Sequence, residues 1–147
     1  MRPPSPLTRD NPGFLLAKAL QRWNELLAFR FAAAGFAEVR PAYGSILIPL
    51  YEEDGLRMGE LARRARLSKQ TMTTMIRKME RAGLVRRAID PEDGRAFKIR
   101  LSNKARRFRA AAEGALAGLD RRLAGIATPA ATRTACDWLK AVARLAE

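Results

Sequence analysis

The chain has 147 residues, 48% of them apolar and 29% charged, which suits one domain of ordinary size with a core of its own. It holds one cysteine, Cys136, and no histidine, so an intramolecular disulfide, a zinc site built from His and Cys, and histidine acid–base catalysis are excluded. The formal net charge of +13 is concentrated: residues 57–109 carry 17 basic and 5 acidic side chains, against six of each in residues 1–56 and five and four in residues 110–147. A generally solvated basic surface would spread that charge along the chain. Its concentration in one stretch points to a polyanion, nucleic acid ahead of a membrane surface.

Residues 1–10 are polar and Pro-rich and are expected to be disordered. They lack the apolar stretch of a secretory leader, and no apolar run nears the roughly 18 residues of a membrane span, so a cytoplasmic protein away from membranes is expected. Phe14 to Ala34 reads as a long helix between Asn11-Pro12 and Gly35, apolar on more than one face and therefore buried on several sides, in part by a second subunit. A second helix runs from Ala42 to about Tyr51 after Pro41, and Pro49 is expected to kink it or end it early. An acidic turn, Glu52 to Gly55, follows.

Met58 to Ala65 forms a short third helix whose start carries Arg57 where a Ser or Thr cap would be stronger. Ser68 then caps a fourth, Lys69 to Ala82, closed by Gly83. Its apolar stripe is Met72, Met75, Ile76 and Met79, at core spacing. Its other face, Lys69, Gln70, Thr71, Thr73, Thr74, Arg77, Lys78 and Arg81, joins small hydrogen-bonding groups to cations, which suits base edges and phosphates in a major groove.

Leu84 to Ile89 is a strand, Asp90 to Arg95 a hairpin loop, and Ala96 to Leu101 the return strand. Phe97, Ile99 and Leu101 are expected inward, leaving Lys98 and Arg100 free. Ser102 caps a fifth helix to about Ala124, and Thr128-Pro129 starts a sixth ending near Leu145. The fold class is mainly α with a two-stranded β-wing, a winged helix-turn-helix flanked by N- and C-terminal helices. No nucleophile–base pair, metal cluster or Gly-rich phosphate loop stands out, and neither a cofactor nor an enzyme is expected.

Two segments, GELARRARLSKQTMTTMIRKMERAGLVRR from Gly59 and DPEDGRAFKIRLSNKA from Asp90, resemble the MarR family of bacterial transcription regulators. The resemblance implies a single domain over 1–147, with the winged helix-turn-helix at 42–102 and dimerisation helices at 11–36 and 103–147. It implies a ligand-responsive regulator, a repressor in the first instance, acting as a homodimer on a pseudo-palindrome of double-stranded DNA with half-sites roughly 10 base pairs apart. Gln70, Thr71, Thr73 and Thr74 would read bases, Lys69, Arg77, Lys78 and the wing would contact phosphate, and Ser68 and Lys98 belong to the same DNA-binding set. Arg95 would enter the minor groove, oriented by Asp93. A small-molecule effector would bind near Trp23, Phe31, Tyr43 and Leu47. The other reading that the charge allows is a sequence-tolerant architectural DNA binder of nucleoid type. A redox role for Cys136, which lies next to Asp137 and Trp138, is not favoured.

Overall fold

The computed structural model describes residues 5–146, and the chain divides at Ala111/Ala112 into two compact units. Residues 1–4 of the expected disordered segment lie outside the described residues; residues 5–10 form exposed turns that lead into Asn11.

The first unit begins with α1 (Pro12–Ala33), whose N-cap Asn11 accepts the backbone N–H groups of Gly13 and Phe14. A 3₁₀ turn, Pro41–Tyr43, leads into α2 (Gly44–Glu52). Of the kink or early end expected at Pro49, the early end does not occur. The helix runs three residues past it, and the Pro49 carbonyl accepts the N–H of Glu53 at 2.9 Å. Proline forfeits one backbone donor late in the helix, and burial of its ring beside Ile46, Leu47 and Leu50 offsets that loss.

The acidic turn proves to be a junction. Asp54 accepts the N–H of Gly55 and of Leu101, each at 2.9 Å, and the guanidinium of Arg106, also at 2.9 Å. It thereby ties the end of α2 to the last strand residue and the helix beyond. After it comes β1 (Leu56–Arg57), a strand too short for any periodicity, then α3 (Met58–Ala65) and α4 (Lys69–Arg81). Arg57 makes no side-chain cap to α3, where a Ser or Thr would contribute about 1 kcal/mol. Ser68 caps α4 by accepting the N–H of Thr71 at 3.1 Å.

The wing is β2 (Val85–Ile89) and β3 (Phe97–Leu101), with β1 added to make an antiparallel sheet in the order β1-β3-β2. The register pairs Val85 with Leu101, Arg87 with Ile99 and Ile89 with Phe97. Those pairs share one face. At its base Val85, Ile99 and Leu101 are buried, but Phe97, expected inward, is 46% exposed beside the exposed Ile89. The alternation is right; the outer end of the hairpin extends past the helices that could cover it.

Met72, Ile76 and Met79 carry the stripe of α4 into a core with Ile46, Leu47, Leu50, Leu61, Leu84 and Ile99. The first turns of α5 (Asn103–Ala124) bring in Phe108, which meets Phe31 and Phe36 edge-on at 4.8 and 5.2 Å between ring centroids. On α1 only Leu27 and Phe31 are buried, while Phe14, Leu15, Leu20 and Phe29 are exposed in the single chain.

In the second unit, the remainder of α5 precedes α6 (Pro129–Val142), capped by Thr128. Leu119 is buried there, whereas Leu116, Leu123, Trp138 and Leu139 are exposed in the single chain. No helix among the described residues is long and apolar enough to cross a membrane.

Candidate nucleic-acid interface

With its apolar stripe buried, α4 turns Lys69, Gln70, Thr71, Thr74, Arg77 and Lys78 to solvent. Lys69, Gln70, Thr73 and Thr74 line a shallow depression on that face. Two hydroxyls on the helix are already engaged. Thr73 Oγ1 donates to the Lys69 carbonyl at 2.9 Å, and the Ser68 hydroxyl donates to Thr71 Oγ1 while serving as the cap. Among the described residues, Gln70 and Thr74 keep their polar groups available, so this face has fewer free hydrogen-bonding groups than its composition suggests.

The electrostatics divide the basic residues into two groups. Arg63 and Arg64 of α3 are held by Glu60, at 2.6 and 2.9 Å, and Arg64 also by Glu53 at 2.8 Å. Arg87 is held by Glu80, Lys104 by Glu38 and Arg106 by Asp54. Among the described residues, by contrast, Lys69, Arg77, Lys78 and Arg95 have no acidic partner. Among the described residues, the exposed face of α4 and the tip of the wing thus hold uncompensated cations where a polyanion could reach them, as do Arg81, Arg86, Arg100 and Arg107 nearby and Arg121, Arg122 and Arg133 on the last two helices.

Hydrogen bonds from Arg63 first, then Arg64, push the Glu60 carboxyl down to about 2 from an ordinary value of 4.5. A depressed folded-state pKa stabilises above the unfolded value and loses that contribution as pH falls through the folded one. Thermal melts of Glu60→Gln should therefore sit below wild type at neutral pH and converge on it between pH 4.5 and about 2. Parallel curves over that window would mean that the pair contributes nothing to stability.

At the wing tip, Asp93 Oδ1 accepts the backbone N–H of Arg95 at 3.0 Å. Asp93 thus shapes the turn that presents Arg95 and makes no ion pair with its guanidinium among the described residues. Lys98 is half-buried, with its Nζ 4.0 Å from Asp90. Asp90 is the one buried charged residue among those described, and sequence reasoning passed over it as loop. The Glu92 N–H, then Arg57 and Lys98, hold its carboxyl below the usual range against the burial that would raise it. Metal coordination has no counterpart: no cluster of three or more His, Cys, Asp or Glu exists among the described residues.

A cleft of about 920 Å³ lies between α1, the 3₁₀ turn and the end of α4, lined by Asn24, Ala28, Val39, Tyr43, Lys78 and Arg81 among others. Of the four residues expected near an effector, only Tyr43 lines it. Phe31 and Leu47 are core, and Trp23 is half-buried outside the lining. Cys136 is exposed on α6.

Two helices joined by a capped turn, followed by a strand-paired wing with an arginine at its tip, define a winged helix-turn-helix. Residues 41–97 match the model of the MarR family. Over 79 residues the chain is 37% identical to the HTH-type transcriptional regulator TtmR of Methylorubrum extorquens, covering 54% of this chain and 40% of that protein. The chain thus spans less than half the length of that relative. Two solved structures share the fold along nearly the whole chain. The PcaV transcriptional regulator of Streptomyces coelicolor, in complex with its natural ligand, superposes with a TM-score of 0.80 at 22% identity over 100% of both chains. The transcriptional repressor CouR, bound to a 23-mer DNA duplex, does so with 0.79 at 24%, covering 95% of this chain and 100% of CouR.

Proposed function

We propose that this protein is a sequence-specific transcription regulator that represses by binding a pseudo-palindromic operator as a homodimer. The observation that carries the reading is the placement of the uncompensated cations. α3 neutralises its own arginines, whereas the face of α4 and the wing tip do not. In this reading Gln70 and Thr74 read base edges in the major groove, and Lys69, Arg77 and Lys78 hold phosphates. Arg95 enters the minor groove, where narrow A·T-rich stretches attract an arginine. The apolar side chains that α1, α5 and α6 leave exposed in the single chain form the contact with a second copy. The protein works beside its DNA in the cytoplasm, without catalysis.

Two proteins of the same fold, PcaV holding its natural ligand and CouR bound to a DNA duplex, support an effector-controlled repressor. The cleft beside Tyr43, of a size suited to a small ligand, is the site this reading gives the effector. Filling it would act on α1 and the end of α4 together and so bias one of two spacings of the recognition helices.

The test is selection of bound fragments from the same genome, followed by a footprint in excess competitor DNA. A protected pseudo-palindrome that survives competitor supports the reading. Uniform binding to any duplex would replace it with the architectural one. On a selected site, Arg95→Ala should weaken binding at least about tenfold while sedimentation and thermal stability stay at wild type. A variant that binds as wild type would remove the wing from the interface.

A further inference from the structure

Arg57 is an unexpected residue at the start of α3. A cation there faces the positive end of the helix dipole, and it leaves the first N–H groups of α3 without a side-chain cap. The side chain is committed elsewhere. Its Nε and Nη2 donate to Asp90 Oδ2 at 2.7 and 2.6 Å, the arginine being half exposed and the aspartate wholly buried.

From Asp90 the contacts continue into the wing loop. Its Oδ1 accepts the Glu92 N–H at 3.0 Å, its N–H donates to the Ala96 carbonyl at 3.0 Å, and its carbonyl accepts the Asp93 N–H at 3.2 Å. Asp93 in turn accepts the N–H of Arg95 at 3.0 Å. An unbroken run of hydrogen bonds therefore joins the N-cap of α3 to the backbone of the wing-tip arginine. Residues 91–95 are exposed and no helix covers them, so β-pairing and this run are what orient the loop.

We propose that Arg57 and Asp90 form a clamp that sets the wing against the helix-turn-helix, so that Arg95 reaches the minor groove while α4 occupies the major groove. Both are positioning residues that act through Arg95, and the inference rests on the DNA-binding reading above. A rigid wing delivers its arginine already placed. A loose wing must order on binding, and affinity falls by that ordering.

The experiment is a double-mutant cycle between the clamp and Arg95, on a duplex selected by the wild-type protein. Arg57→Thr removes the clamp and restores a capping residue to α3. Arg57→Thr with Asp90→Asn removes it without leaving a buried charge, which covers the case in which the single variant folds poorly. Either variant should lose about tenfold in affinity. In the Arg95→Ala background the same change should cost less than about twofold, because the group being positioned is gone. Amide exchange of the free protein should quicken at Glu92, Asp93 and Ala96 without a lower melting temperature in the double variant.

Equal losses with and without Arg95 would overturn the proposal, since Arg57 would then contact the DNA itself or serve only the fold. Unchanged affinity would overturn it as well. Wild-type protein that ignores duplex altogether removes the functional reading and the clamp's role together, whereas additive losses on a duplex that wild type binds remove the clamp's role alone.

Discussion

Phe108→Ala should destabilise the protein by about 3–5 kcal/mol, a large share of the roughly 5–15 kcal/mol that holds a domain folded. Phe108 is 3% exposed and lies edge-on to both Phe31 and Phe36. Truncation removes the transfer energy of the ring, leaves a void between α1 and α5, and breaks two aromatic contacts of favourable geometry. The melting temperature should fall by about 10 °C or more in a calorimetric scan. Phe108→Leu, which keeps most of the volume, should lose much less. If Phe108→Ala melted within about 2 °C of wild type, the first turns of α5 would not be packed in the core as described.

Removing Lys69 and Arg77 together should have the largest effect on DNA. Each cation that neutralises a phosphate releases a counterion, so the slope of log affinity against log salt should become shallower by about 2 in Lys69→Ala/Arg77→Ala. Affinity near physiological salt should drop well beyond that of Arg95→Ala, and equally for selected and random duplexes, because phosphates carry no sequence. Arg63→Ala is the internal control. Its guanidinium is already held by Glu60 at 2.6 Å, so it has no charge to spare for DNA and the slope should not move. If Arg63→Ala flattened the slope as much as the pair on α4, the division into compensated and uncompensated cations would not describe the interface. Titrations at several salt concentrations, read by fluorescence anisotropy, decide this.

The parts of the molecule legible in its residues are those settled by neighbours in sequence. Ser68 and the Met72, Ile76 and Met79 stripe mark α4 because cap and stripe lie within four turns of one another. The wing follows from period-two alternation around a Pro/Asp/Gly loop, with strand ends within a residue of those observed. Helix ends elsewhere differ by up to three residues, α6 stopping at Val142 rather than Leu145. Phe97 was misplaced for a different reason: alternation assigns a face, but exposure depends on how far the covering helices reach.

From residue order alone come the winged helix-turn-helix, the cationic, hydroxyl-bearing face of α4 and the crowding of positive charge on that module. All three depend on residue type and local spacing. Which of those charges remain uncompensated is settled by contacts between distant parts of the chain. Glu60 and Arg64 are near neighbours, but Asp54 with Arg106 and Asp90 with Arg57 are joined across 52 and 33 residues, and no spacing rule pairs them. The tertiary structure also explains Arg57, a weak helix start by local rules. A burial site for Asp90 exists only once β1, α3 and the wing have come together, and Arg57 is the cation they place beside it.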